Sequence, residues 1–155
     1  MKITTLQMNT RSDKAANLEQ ARTQASYAVE ADAPDMLVLP EVFAFMGGSV
    51  ADKRAAAEEL PVAGSAGGAA YETLRAMARG HGVFVHGGSF VERAGDEFFN
   101  TTIAFDRAGK ELARYRKIHL FDVELASGEA YRESSNYRHG DKLVSAETPW
   151  GILGM

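Results

Sequence analysis

Three observations predict an α/β fold built on a mixed sheet for this 155-residue chain. A strand-like opening is followed by a helix and then a short, wholly apolar strand, the order that makes a parallel pair through a right-handed crossover. From about residue 94 the pattern changes to short strands joined by tight turns, which is how antiparallel hairpins read. The composition, 45% hydrophobic and 25% charged, is that of a globular protein with a buried core, and the length suits one domain.

The elements follow in order. Lys2–Asn9 alternates and is expected to be a buried strand. Ser12 or Asp13 can cap a helix to about Ala31, whose Leu18, Ala21, Ala25, Ala28 and Val29 recur at helical spacing. Ala33-Pro34-Asp35 breaks it, because proline cannot continue a helix. Met36-Leu37-Val38-Leu39 suits a strand covered on both faces. Ala51–Leu60 is predicted as a short helix, Pro61–Gly68 as a loop, and Ala69–His81 as an amphipathic helix stopped by Gly80 or Gly82. Val83–His86 and Ser89–Arg93 read as strands interrupted by Gly87-Gly88. Phe98–Phe105 and Glu111–Arg116 follow, separated by the turn Asp106-Arg107-Ala108-Gly109. Phe121–Gly140 lacks any period, and a loop of about twenty residues inside a domain is usually functional or mobile. Leu143–Thr148 and Gly151–Met155 read as two more strands.

Several function classes are disfavoured. The net charge is −4 with both signs mixed along the chain, unlike the concentrated basic patch of a nucleic-acid binder. No basic amphipathic helix suggests a membrane surface, and no run approaches the roughly 20 apolar residues of a membrane span. The opening segment is too short in apolar residues for a signal peptide, so a cytoplasmic location is the default expectation. Asn100-Thr101-Thr102 has the form of a glycosylation sequon but reads more simply as strand. Gly64-Ser65-Ala66-Gly67-Gly68 lacks the Gly-Lys-Ser/Thr ending of a phosphate loop, and no nucleophile-elbow motif is found. His81 and His86 fall on opposite faces of an extended chain and would not share a metal. There is no cysteine, which removes disulfides, thiolate metal sites and a thiol nucleophile from these residues.

Two residues stand out. Glu41 follows Leu37-Val38-Leu39-Pro40, at the carboxyl end of a buried strand, where open α/β sheets place their sites. Burial there would raise its pKa and poise it as a general base; the alternative is an exposed or ion-paired structural glutamate. Lys117 ends the strand Glu111–Arg116, and its followers Ile118, Leu120 and Phe121 anchor the segment inward. Held in a pocket, it could stabilise a developing oxyanion; solvated, it would be an ordinary strand-end lysine. His119 is read as a structural residue.

Taken together these pieces resemble the nitrilase superfamily of carbon–nitrogen hydrolases, and most closely its Nit-type amidases. The segments that carry the resemblance are Lys2–Asn9, Asp35-Met36-Leu37-Val38-Leu39-Pro40-Glu41-Val42-Phe43, Gly87-Gly88-Ser89 with Phe99-Asn100-Thr101, and Tyr115-Arg116-Lys117-Ile118-His119-Leu120-Phe121-Asp122. The resemblance implies a four-layer α-β-β-α sandwich, Glu41 as general base and Lys117 as oxyanion stabiliser. It also implies a second glutamate that orients the lysine, placed at Glu133, with Glu129 the competitor and Glu124 a remoter one. In that family a strand like Gly151–Met155 runs into a nucleophilic cysteine. The expectation is therefore an N-terminal portion of a longer enzyme, inactive alone; a true C-terminal edge strand is the alternative. The implied activity is hydrolysis of a small amide without metal or organic cofactor, by a homodimer or larger homo-oligomer. A carbamoylase of the same superfamily, or a noncatalytic binding protein on the same fold, would share these motifs.

Overall fold

The computed structural model describes residues 1–62 and 65–155. β1 (Ile3–Thr5) and β2 (Met36–Val38) pair in parallel, and the helix between them, α1 (Lys14–Asp32), makes the crossover. Asp13 caps α1 by accepting from the Ala16 amide at 3.0 Å, satisfying one of the free N–H groups of the first turn. After α2 (Val50–Ala55) and α3 (Ala69–His81) the chain returns as β3 (Phe84–His86), parallel to β2. The sheet then turns antiparallel. β5 (Glu97–Phe105) carries β3 and β4 (Phe90–Ala94) along one edge and β6 (Glu111–Arg116) along the other, since Thr101 pairs with both Phe90 and Arg116 and Ala104 with both His86 and Ala113. β3 and β4 are thus two halves of one line broken at Gly87-Gly88-Ser89. That break is where the sheet reaches toward Glu41.

The core lies between the helices and one face of the sheet. Leu37, Val85 and Phe105 form a row across β2, β3 and β5. All three are buried against Leu18, Ala21 and Ala25 of α1 and Leu74, Met77 and Ala78 of α3. Each large apolar side chain so covered contributes about 1.5–3 kcal/mol. The opposite face carries Ala104 and Ala113, which pack against Ala146 and Leu153 of the antiparallel pair β9 (Ser145–Thr148) and β10 (Gly151–Gly154), and against Met155 just past it. The chain therefore shows helix, sheet and second-sheet layers in succession.

Three expectations need correction, and a fourth falls partly outside the described residues. β1 is three residues long and lies at the sheet edge, so Ile3 is exposed where a buried strand over Lys2–Asn9 was expected. α2 stops at Ala55 rather than Leu60; beyond it, Glu58 leaves the helix to bridge with Glu92 beside β4. The stretch Phe121–Gly140 is not one irregular loop. It holds a short hairpin, β7 (Asp122–Glu124) with β8 (Ala130–Arg132), and a 3-10 turn at Glu133–Ser135. Its side chains are mostly exposed, which hides the period-2 signal of a strand. Finally, residues 63 and 64 of the expected Pro61–Gly68 loop lie outside the described residues.

Candidate active site

Leu39 donates to the His86 carbonyl at 3.0 Å, extending the β2–β3 ladder by one residue. Pro40 has no N–H to continue it, and the chain turns with Glu41 at its tip. Ser89 pins this turn from the broken strand. Its amide donates to the Pro40 carbonyl at 3.2 Å, its Oγ accepts from the Val42 amide at 2.9 Å, and its carbonyl accepts from Phe43 at 3.0 Å. Val42 is held at φ 53°, a left-handed conformation that costs a β-branched residue about 1–3 kcal/mol. Fully buried Phe43, edge-on to Phe90 at 6.2 Å, helps hold it there. Gly88, at φ +56°, lies so close that a Cβ would sit 1.9 Å from the Pro40 oxygen, so no other residue fits.

Lys117 lies one step beyond β6, where its amide donates to the Asn100 carbonyl at 2.8 Å. Glu133 opens the 3-10 turn and grips the segment after Lys117 reciprocally. Its amide donates to the Phe121 carbonyl at 3.1 Å, and its Oε2 accepts from the Phe121 amide at 2.6 Å.

These three side chains converge. Lys117 Nζ donates to Glu41 Oε1 at 2.9 Å and to Glu133 Oε2 at 3.0 Å. Asn100 Nδ2 donates to Glu41 Oε1 at 2.8 Å and to Glu133 Oε1 at 3.3 Å. Glu124 and Glu129 sit exposed on the hairpin, and His119 is exposed as well. Burial pulls the Lys117 ammonium toward deprotonation, but the hydrogen bonds to Glu41 and Glu133 outweigh it and hold its pKa above the ordinary lysine value. Burial likewise pushes the Glu133 carboxyl up. The Phe121 amide, Lys117 and Asn100 more than reverse this, so it stays below the usual carboxylate range. Lys117 is therefore a fixed cation and Glu133 a fixed anion near neutral pH. Glu41 differs from what was expected: its side chain is 59% exposed, against 27% for Lys117 and 14% for Glu133. A strand-end turn lifts it out of the sheet, so the described residues do not bury it.

Glu41, Asn100 and Lys117 line a cavity of about 270 Å³ with Ser89, Thr102 and Tyr115. His86 lines it too; burial holds its imidazole below the usual histidine range, hence neutral, and its Nδ1 is buried without a hydrogen bond. A larger hollow of about 510 Å³ lies between β1 and α1, but it shares no residue with this cavity and Asp32 is its one charged group. Asn100, His86, Ser89 and Tyr115 were not singled out from sequence. Asn100 was findable: it and Thr102 are polar residues on the strand face opposite buried Ile103 and Phe105. A fixed cation between two carboxylates beside a cavity can stabilise a developing anion while the more exposed carboxylate exchanges a proton.

Comparison with known proteins bears on the chain's family and fold. The carbon-nitrogen hydrolase family model matches residues 2–155. The chain is 34% identical over 155 residues to a deaminated glutathione amidase of Synechocystis, covering 97% of this chain and 54% of that protein. It is 31% identical over 154 residues to omega-amidase NIT2 of Danio rerio, covering 99% and 53%. Among solved structures, Nit3 of Saccharomyces cerevisiae, a nitrilase-superfamily member, superposes with a TM-score of 0.82 at 26% identity, covering 99% of this chain and 54% of Nit3. The chain spans about half the length of the curated relatives it matches. With a family match over nearly its whole length and the fold of a nitrilase-superfamily structure, this chain belongs to the carbon-nitrogen hydrolase family.

Proposed function

We propose that the complete protein hydrolyses a non-peptide C–N bond in a small amide, through Glu41, Lys117 and a cysteine thiol supplied by the rest of the polypeptide. The observation that carries this reading is the Lys117 ammonium held between Glu41 at 2.9 Å and Glu133 at 3.0 Å. Glu41 takes the thiol proton, and the thiolate adds to the carbonyl carbon. The C=O π electrons move to oxygen, where Lys117 stabilises the anion. Collapse expels ammonia or an amine, which takes the proton from Glu41, and leaves a thioester. Glu41 then accepts a proton from water as it attacks, and the second collapse releases a carboxylic acid and the thiolate, which regains that proton from Glu41. Glu133 orients Lys117 throughout. The step needs no metal or organic cofactor.

The relatives named deaminated glutathione amidase and omega-amidase support small, carboxylate-bearing amides as the substrate class. A homodimer or larger homo-oligomer in the cytoplasm completes the reading; among the described residues no helix is long and apolar enough to cross a membrane. The test is ammonia release by the purified full-length protein from a panel of ω-amides of keto acids and deaminated peptides, with and without a thiol alkylator. Alkylator-sensitive ammonia release is expected. Stoichiometric carbon dioxide release would favour a carbamoylase instead, and a folded protein inert on every amide, nitrile and carbamoyl compound would favour a noncatalytic binder.

A further inference from the structure

Asn100 bonds to each of the three charged residues. Its backbone carbonyl accepts from the Lys117 amide at 2.8 Å. Its side-chain nitrogen donates to Glu41 Oε1 and to Glu133 Oε1, at 2.8 and 3.3 Å. Among the described residues the donors that reach Glu41 are Asn100 Nδ2 and Lys117 Nζ, and both go to Oε1. A carboxylate oxygen that already accepts two strong hydrogen bonds is the poorer proton acceptor. The other oxygen, Oε2, is left to accept one.

We propose that Asn100 is a positioning residue of the site. Its amide holds Glu41 and Glu133 on either side of Lys117 and, together with the ammonium, occupies Oε1 of Glu41, so that Oε2 is the oxygen that exchanges protons. An amide suits the place because it donates two hydrogens and never ionises in the working range. A carboxylate there would add a third negative charge, and an apolar side chain would leave the glutamates free to swing. β5 supplies the rigidity, since Asn100 is paired with Val91 of β4 and lies next to Thr101, which is fully buried and hydrogen-bonded to Glu92.

This inference rests on the hydrolase reading, and its test separates the two. In the full-length protein, Asn100→Ala is expected to lower kcat tenfold or more, with KM within about twofold and a melting curve showing the variant folded at the assay temperature. Asn100→Asp regains a donor when its carboxyl is protonated, so its activity relative to Asn100→Ala should rise as pH falls. A purely structural asparagine would give no such pH-dependent ratio. Wild-type kcat in Asn100→Ala, or a ratio flat with pH, overturns the proposal. If the wild-type protein hydrolyses nothing in the panel, the hydrolase reading fails, and the clamp is judged by carboxyl carbon NMR. An upward move of the Glu133 titration in Asn100→Ala supports it, because Asn100 is one of the donors holding that carboxyl down; an unmoved titration overturns it.

Discussion

Glu41 and Lys117 lie 76 residues apart in sequence, and their side chains meet at 2.9 Å. Neither is brought there by its own strand alone. Glu41 is placed by Ser89 and Gly88 in the break between β3 and β4, and Lys117 by the carbonyl of Asn100. The pair is a product of the sheet's switch from parallel to antiparallel pairing around β5.

Glu41→Gln in the full-length protein keeps the side chain's shape and removes its ability to take a proton. Turnover is expected to fall about 10²–10⁴-fold, while Tm changes little because the side chain is largely exposed. Steady-state ammonia release together with a melting curve checks this. Undiminished turnover would remove Glu41 from the mechanism.

The triad also makes stability depend on pH at both ends. Glu133 titrates below its ordinary value of 4.5 when folded, so the stability it lends is present above that value and fades as pH falls through its folded pKa. Lys117 titrates above its ordinary 10.5. Its contribution is therefore complete below 10.5 and is lost as pH rises through the folded value. Lys117→Met should flatten the Tm-versus-pH curve on both the acid and the alkaline side. Parallel curves for the two proteins would show that the ammonium is not coupled to the carboxylates.

Gly88→Ala is expected to damage the site through the backbone. An alanine there would pay about 1–3 kcal/mol for its left-handed φ, and its Cβ would collide with the Pro40 carbonyl at 1.9 Å. The turn bearing Glu41 must move to relieve it, so activity should fall more than the loss of stability explains. Equal activity per folded molecule, measured by active-site titration below the Tm, would contradict this.

How much of this was legible in sequence depends on the range of the interaction. The strand–helix–strand opening was readable because Leu18, Ala21 and Ala25 repeat at helical spacing and Leu37 sits in an apolar run. Glu41 and Lys117 were readable because apolar neighbours mark strand ends. Asn100 reads from sequence as an ordinary strand residue, since what distinguishes it is not its neighbours but the carboxylates it meets, 59 and 33 residues away. The exposure of Glu41 was misjudged for a related reason: Ser89 and Gly88 turn it out of the sheet, and no local pattern around residue 41 reveals that. The hairpin at Asp122–Glu124 and Ala130–Arg132 escaped because with both faces mostly in solvent a strand needs no alternation.

A buried carboxylate outside the site offers a test independent of catalysis. Glu58 is 4% exposed in its side chain and 2.7 Å from Lys14 Nζ. It also accepts from the amides of Ala70 at 2.6 Å and Tyr71 at 3.2 Å. α3 has no cap from its own preceding residue, Gly68, so Glu58 serves as a remote cap, and its charge complements the positive end of the helix. Gly68 permits this because a Cβ there would lie 2.4 Å from the Glu58 carboxyl carbon. Glu58→Ala strands two amides and a partly buried ammonium together, for which removal of one partner of a buried pair typically costs about 3–5 kcal/mol. Lys14→Met in the same protein should recover part of that loss, the part due to the unpaired cation, while the uncapped amides remain. Chemical denaturation of the single and double variants measures both terms. A Glu58→Ala protein within about 0.5 kcal/mol of wild type, the range of an ordinary surface change, would mean that water, not Glu58, satisfies the start of α3.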